Sequence, residues 1–263
     1  MKGTITDPRD DIADKISLDN CRIINKPHYV FLCGGEVDIE CTKSNLSVRN
    51  MIMNQTASKD GLTLVRAESY TDWSKGYDDL AEFENDIAGL STVVTVVLES
   101  AGSLVEFGLF YANENIRSKL FAVLNRDFYE EDSFIKHGLL TPLENLDERF
   151  VVPLDLNPKN VDLIKSTEVD EIMAEVSSYI NTLPDSESFV QDNQGHILYL
   201  IFQIIHLFKA LTLTEIEKYV GKSGVILTTK RLKAGLYILG KFSLIGSYKR
   251  SQTYYYVKVD APT

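Results

Sequence analysis

The stretch from Val93 to Asn115, VVTVVLESAGSLVEFGLFYANEN, sets carboxylates, hydroxyls and a glycine where an apolar run gives way to a helical pattern. In α/β proteins ligands bind where a buried strand ends and a helix begins. Gly102 and Ser103 offer backbone N–H groups and a hydroxyl at a helix N-terminus, a setting that suits a phosphate or another anion. Glu99 leaves the strand end just before this turn, and Glu106 falls in the first turns of the helix. A carboxylate at that position has two chemical uses: attack on an anomeric carbon, or stabilisation of the oxocarbenium-like cation formed when a base leaves. Glu106 is the candidate for that role; the plainer alternative is that it only complements the helix dipole.

Two further features point to the same chemistry. Gly34 and Gly35 follow the apolar run HYVFLC and would let the backbone approach a nucleotide closely, although a tight turn also explains them. Arg49, in the helix expected next, either pairs with phosphate through its planar fork or is a solvated surface charge. His28, His137, His196 and His206 lack a spaced second ligand, so no metal site is expected.

The elements that must position these residues alternate. Strands are expected at 28–33, 62–67, 93–98, 120–124 and 150–154. Helices are expected from Ser44 onward, over 80–90 with Leu80, Phe83, Ile87 and Leu90 on one face, over 103–114 and over 169–183. Strict alternation argues for an α/β fold with a parallel sheet covered on both faces. The polar segment 184–194 reads as a linker, which divides the chain into domains at 1–184 and 185–263. Beyond it, helices at 196–211, 214–221 and 228–239 and a hairpin in SLIGSYKRSQTYYYVKV make a small winged helix-turn-helix.

At 263 residues two compact domains are the natural expectation, and 44% hydrophobic with 25% charged residues describes an ordinary globular chain. Neither a signal peptide nor an apolar run of membrane-spanning length is seen, so a cytoplasmic location without membrane contact is expected. Cys21, Cys33 and Cys41 fit free thiols in a reducing compartment, with neither disulfide nor zinc. The net charge of −11 is uneven, because residues 185–263 sum to +4 and residues 1–184 to −15. Nucleic acid would therefore meet the C-terminal part. There Lys230, Arg231 and Lys233 on the third helix, with Lys241, Lys249 and Arg250 near the hairpin, are the candidate phosphate contacts, and Tyr254, Tyr255 and Tyr256 are available to stack on bases.

FLCGG at the first strand, ESAGSLVEFG at the third and NENIRSKL just after it resemble the nucleoside deoxyribosyltransferase-like effector subunits of retron anti-phage systems. The broader superfamily carries S-x-G-x-x-x-E-x-G, whose serine and glycine hold phosphate and whose glutamate is the nucleophile; Ser100, Gly102, Glu106 and Gly108 match it in order. The resemblance covers residues 29 to about 125, and an enzyme-like domain before a winged helix extends it to nearly the whole chain. It implies a toxin, held by a reverse transcriptase and its multicopy single-stranded DNA and non-coding RNA, that destroys a nucleotide pool on release. NAD or another nucleotide would be substrate rather than cofactor, and a homo-oligomer or larger complex would be the working form. An acidic group near the sugar is also implied, and Asp86 and Glu68 are the nearest candidates. This chain is short for that family and acidic overall. The expected activity is nucleotide N-glycosidase; base exchange between deoxynucleosides and a non-catalytic, nucleotide-sensing DNA-binding regulator are the alternatives.

Overall fold

The structure, a computed structural model, describes residues 7–38, 46–56, 61–156 and 164–259. Its helices in chain order are α1 (Pro8–Ala13), α2 (Val48–Thr56), α3 (Leu80–Leu90), α4 (Ala101–Ala112), α5 (Glu114–Arg117), α6 (Arg126–Glu130), α7 (Thr141–Glu144), α8 (Ser166–Thr182), α9 (Gln194–Phe208), α10 (Leu213–Lys222) and α11 (Thr229–Lys241). Its strands are β1 (Arg22–Ile24), β2 (His28–Cys33), β3 (Leu62–Val65), β4 (Val93–Val97), β5 (Leu120–Asn125), β6 (Val151–Leu154), β7 (Ser186–Ser188), β8 (Ala210–Leu211), β9 (Ile245–Arg250) and β10 (Thr253–Lys258). Cys41 and Ser44 lie outside the described residues, and no described helix is long and apolar enough to cross a membrane.

The chain forms two compact units, each assembled from separated stretches. One comprises Asn25–Ser69 and Ser91–Asp185; the other comprises Met1–Ile24, Tyr70–Leu90 and Ser186–Thr263.

The first unit is α/β. Its five strands run parallel in the order β3-β2-β4-β5-β6. The sequence dictates which strands are central. Every residue of β4, VVTVV, is buried, as is nearly all of β2 and β5, because helices cover both faces of a parallel sheet and leave no polar side to alternate. The edge strands are less covered, and Pro153 in β6 is tolerated because an edge position has no ladder partner for the missing N–H. Counted within this sheet the strand order is 2-1-3-4-5, a doubly wound arrangement whose direction of winding reverses between β2 and β4.

The second unit carries α9, α10 and α11 with the antiparallel sheet β8-β10-β9, and a separate β1-β7 pair. The segment read as a linker is thus partly ordered, since Ser186–Ser188 pairs with Arg22–Ile24. Three helices start at side-chain caps that the sequence spells out: Asn193 for α9, Thr212 with Glu215 for α10 and Thr228 for α11. Helix α3 also belongs to this unit. A Cβ on Gly195 would run into the Gly89 carbonyl, so glycine on both sides lets α3 and α9 approach closely.

Tyr70, Trp73, Tyr77, Phe83, Tyr237 and Phe242 form a run of ring contacts that joins the Tyr70–Leu90 stretch to α11. At its centre Arg231 donates to both Asp86 oxygens at 2.7 and 2.8 Å, and the Tyr77 hydroxyl donates to the same carboxylate. Asp86 is 2% exposed. Burial pushes its carboxyl up against the downward pull of Arg231. Removing one member of such a pair strands the other charge, at a cost of about 3 kcal/mol or more. Arg231→Met is expected to destabilise this unit by about that amount. Trp73 is the chain's single tryptophan and lies in the unit. Its fluorescence during urea unfolding checks the value, and a change below about 1 kcal/mol would contradict it.

Candidate functional site

The C-terminal ends of β2 and β4 meet at the point where the winding reverses, and the residues singled out by the sequence collect around them. Glu99 follows β4 by two positions. Its Oε1 accepts from the Gly35 N–H at 2.9 Å and the Arg49 N–H at 3.2 Å, and its Oε2 accepts from the Val48 N–H at 2.8 Å. Val48 is the first residue of α2, so Glu99 acts as a cap supplied from another strand, satisfying helix N-terminal donors that have no partner of their own. It pins the loop after β2 and the start of α2 to the end of β4.

The Gly-Gly pair is required by this arrangement. Gly34 has φ of +153°, and a Cβ there would lie 3.0 Å from Arg49 Cβ and 3.1 Å from Glu99 Oε1. A Cβ on Gly35 would lie 2.8 Å from Ser47 Cβ and 3.0 Å from the Glu99 carboxyl carbon. Close approach is needed here, and the neighbour in the structure is Glu99.

Arg49 is buried. Its guanidinium donates to the Leu32 carbonyl at 2.9 Å, the Gly35 carbonyl at 3.3 Å, and both Glu68 oxygens at 2.6 and 2.7 Å. It is thus neither a solvated charge nor an open fork. Burial works against the charge on Glu68, but the facing guanidinium outweighs it and holds the carboxyl below the usual range. Glu68 remains ionised and firmly paired.

Glu106 is placed differently. It sits one turn into α4 on the same side as Gly102, four residues earlier. Its Oε2 is buried and accepts no hydrogen bond among the described residues. Burial pushes its carboxyl up; the Arg49 charge draws it down and the Glu68 charge pushes it up again. Glu106, Arg49 and Glu68 therefore form one electrostatic group in which Arg49 is committed to Glu68 and Glu106 Oε2 has no hydrogen-bond partner among the described residues. Such an orphaned acceptor is costly and calls for an explanation.

Helix α4 begins with a reciprocal cap. Ser100 Oγ accepts from the Ser103 N–H at 3.1 Å, and Ser103 Oγ accepts from the Ser100 N–H at 3.1 Å. Both hydroxyls are engaged in starting the helix. Ala101 and Gly102, the first two helical residues, are exposed, and N–H groups at the start of a helix have no intrahelical acceptor. A Cβ on Gly108 would meet nothing within 4 Å, so packing among the described residues does not demand glycine there.

The structure thus brings together Gly34, Gly35, Arg49, Glu68, Glu99, Ser100, Gly102, Ser103 and Glu106 within the α/β unit. Asp86 belongs to the other unit, in the bidentate pair with Arg231. In that unit Lys230 pairs with Asp78 at 2.7 Å, while Lys233, Lys249 and Arg250 are exposed. Sequence reasoning did not foresee the Arg49–Glu68 pair or the capping role of Glu99. Both depend on which strands are neighbours. The usable signal was a Gly-Gly after one strand and a glutamate after another, which becomes legible once the strand order is known.

Residues 45–247 match a family described as the STM3845 retron effector protein. The chain is 26% identical over 180 residues to a retron Ec86 protein of Escherichia coli, covering 65% of this chain and 55% of that protein. It is 39% identical over 75 residues to a retron Ec73 protein of the same organism, covering 28% of this chain and 24% of that one. Both relatives carry names that assign them ribosyltransferase and DNA-binding roles. The chain spans about half the length of the first relative and about a quarter of the second. By the match over most of its length, the chain belongs to the STM3845 retron effector protein family.

Proposed function

We propose that this chain cleaves the N-glycosidic bond of a nucleotide, with Glu106 as the group that attacks the anomeric carbon. The observation that carries the reading is the buried, unpartnered Oε2 of Glu106 beside the Arg49–Glu68 pair. A carboxylate with one oxygen held away from water and from hydrogen-bond donors is poorly stabilised when charged. The positive charge that develops at an anomeric carbon as its base departs supplies the missing stabilisation at the moment of reaction. The Glu106 oxygen forms a bond to the anomeric carbon while the carbon–nitrogen bond breaks, and its electron pair leaves with the base. Water then displaces the sugar from the carboxylate and loses a proton.

The N–H groups of Ala101 and Gly102 suit a phosphate of the same nucleotide. Glu68 does not compete for the attack, because Arg49 holds it in a bidentate pair. NAD fits this scheme well, since its nicotinamide already carries a positive charge that is released on cleavage. The ribosyltransferase role in the relatives' names favours a second outcome from the same intermediate, in which an acceptor base replaces water. Membership of the retron family supports a toxic effector of anti-phage defence, associated with a reverse transcriptase and its DNA-RNA product. The helices α9 to α11 and the β9–β10 hairpin are read as a winged helix that docks on nucleic acid.

The test is chromatography of products from NAD and a panel of nucleotides, with the chain alone and with its reverse-transcriptase complex, in the presence and absence of an acceptor base. Free nicotinamide or base is expected, and Glu106→Gln is expected to lower the rate by at least about 100-fold. Nucleotide binding without release from any substrate would favour the sensing regulator.

Burial raises the Glu106 carboxyl above its ordinary value of 4.5, so between that value and the raised one the folded state holds more proton than the unfolded state. Stability from this group is full at low pH and is lost as pH rises through the folded value. Glu106→Gln removes the ionisation. The variant is expected to melt higher than the native chain at neutral pH, with the gain vanishing as pH falls towards the ordinary carboxylate range. Equal melting temperatures at neutral pH would contradict the burial argument.

A further inference from the structure

We infer that the β9–β10 hairpin, rather than α11, makes the nucleic-acid contact of this chain, and that it takes unpaired bases. The inference rests on the proposal that the smaller unit docks on nucleic acid, and it reassigns the residues that do so.

On α11 three of the four basic side chains are taken. Arg231 is held by Asp86, Lys230 reaches Asp78 at 2.7 Å, and Lys241 reaches Asp72 at 2.6 Å. The Tyr237 hydroxyl donates to Asp72 at 2.9 Å, and its ring lies so close to Gly76 that a Cβ there would overlap it. Three aspartates from one acidic stretch, Asp72 to Asp86, thus stand where phosphates would stand on a recognition helix. The outer pair is exposed and weak, but the Asp86–Arg231 pair is buried and locks the arrangement. Of the basic side chains on α11, Lys233 alone has no acidic partner among the described residues, and it is exposed.

The hairpin has the opposite character. Between Ile245 and Val259 it carries Lys249, Arg250 and Lys258 and no acidic residue, on a chain whose net charge is −11. Lys249 and Arg250 lead directly into a tight turn at Ser251, which has φ of +54°. Tyr248 and Tyr254 are 47% and 56% exposed, which is more ring than a structural tyrosine needs to show. The register puts Tyr248 opposite Tyr255, with their rings stacked at 5.6 Å, and puts Tyr254 opposite Lys249, whose ammonium lies 5.6 Å from the ring centre. One face of the tip therefore presents the Tyr254 ring beside a cation, and the other presents the stacked pair of Tyr248 and Tyr255. Flat rings with nearby positive charge accept unpaired bases and their backbone without regard to sequence. A paired duplex hides those base faces.

Fluorescence anisotropy of the full chain at low salt tests this, with labelled single-stranded DNA or RNA of about 20 nucleotides and the matching duplex as probes. The single strands are expected to bind more tightly than the duplex. Lys249→Ala with Arg250→Ala, and separately Tyr248→Leu or Tyr254→Leu, are expected to weaken single-strand binding by about tenfold or more. Lys230→Ala and Lys233→Ala are expected to stay within about twofold. Melting curves identify any tyrosine variant that has lost its fold, and the exposed Lys249 and Arg250 variants carry the result in that case. Preference for duplex, or loss on changing Lys230 and Lys233 with none on changing the hairpin, would overturn the inference while leaving nucleic-acid docking intact. Absence of binding to every probe would overturn both, and the base-release assay judges the glycosidase proposal independently.

Discussion

The α/β unit depends on one carboxylate at the end of its central strand. A parallel sheet sends its loops and helix starts to one edge, where backbone N–H groups converge without partners. Glu99 accepts three of them, from Gly35, Val48 and Arg49, and so fixes the loop after β2 and helix α2 against β4. Hydrogen bonds to a charged acceptor are stronger than neutral ones, so this single side chain anchors three elements. The two glycines beside it are there because nothing larger fits against it.

The rest of the site follows from that anchor. With α2 held in place, Arg49 turns inward to the Leu32 carbonyl and reaches Glu68 at the end of the neighbouring strand. This pairs one carboxylate and leaves the other, Glu106, with an Oε2 that has no donor among the described residues. Two glutamates of one chemical type are thereby driven apart in acidity by surroundings alone, which is how enzymes assign different tasks to similar groups.

Much of this was legible in the sequence, for physical reasons. The five strands were visible because a sheet buried on both faces needs continuous apolar runs, and VVTVV in β4 admits no other reading. Glu106 was visible because its distance from the strand end places it in the first turns of α4. The Glu68 partner of Arg49 was hidden, since an isolated arginine in a helix says nothing about a carboxylate nineteen positions away, just beyond β3. The placement of α3 was also hidden. Its apolar face is equally suited to a sheet or to other helices, and the close approach of Gly89 to Gly195, with the Tyr199 hydroxyl on the Leu90 carbonyl, shows that it packs on α9. The short β1–β7 pair has no apolar pattern to announce it.

The central claim is that Glu106 forms a bond to the sugar. The direct measurement is the mass of the intact protein after incubation with an NAD analogue bearing fluorine on the ribose carbon next to the anomeric one, which slows breakdown of a sugar–carboxylate ester. The account predicts loss of nicotinamide from the analogue and a matching mass gain that peptide mapping assigns to Glu106. Nicotinamide release with no added mass, or a label on Glu68 instead, would contradict it.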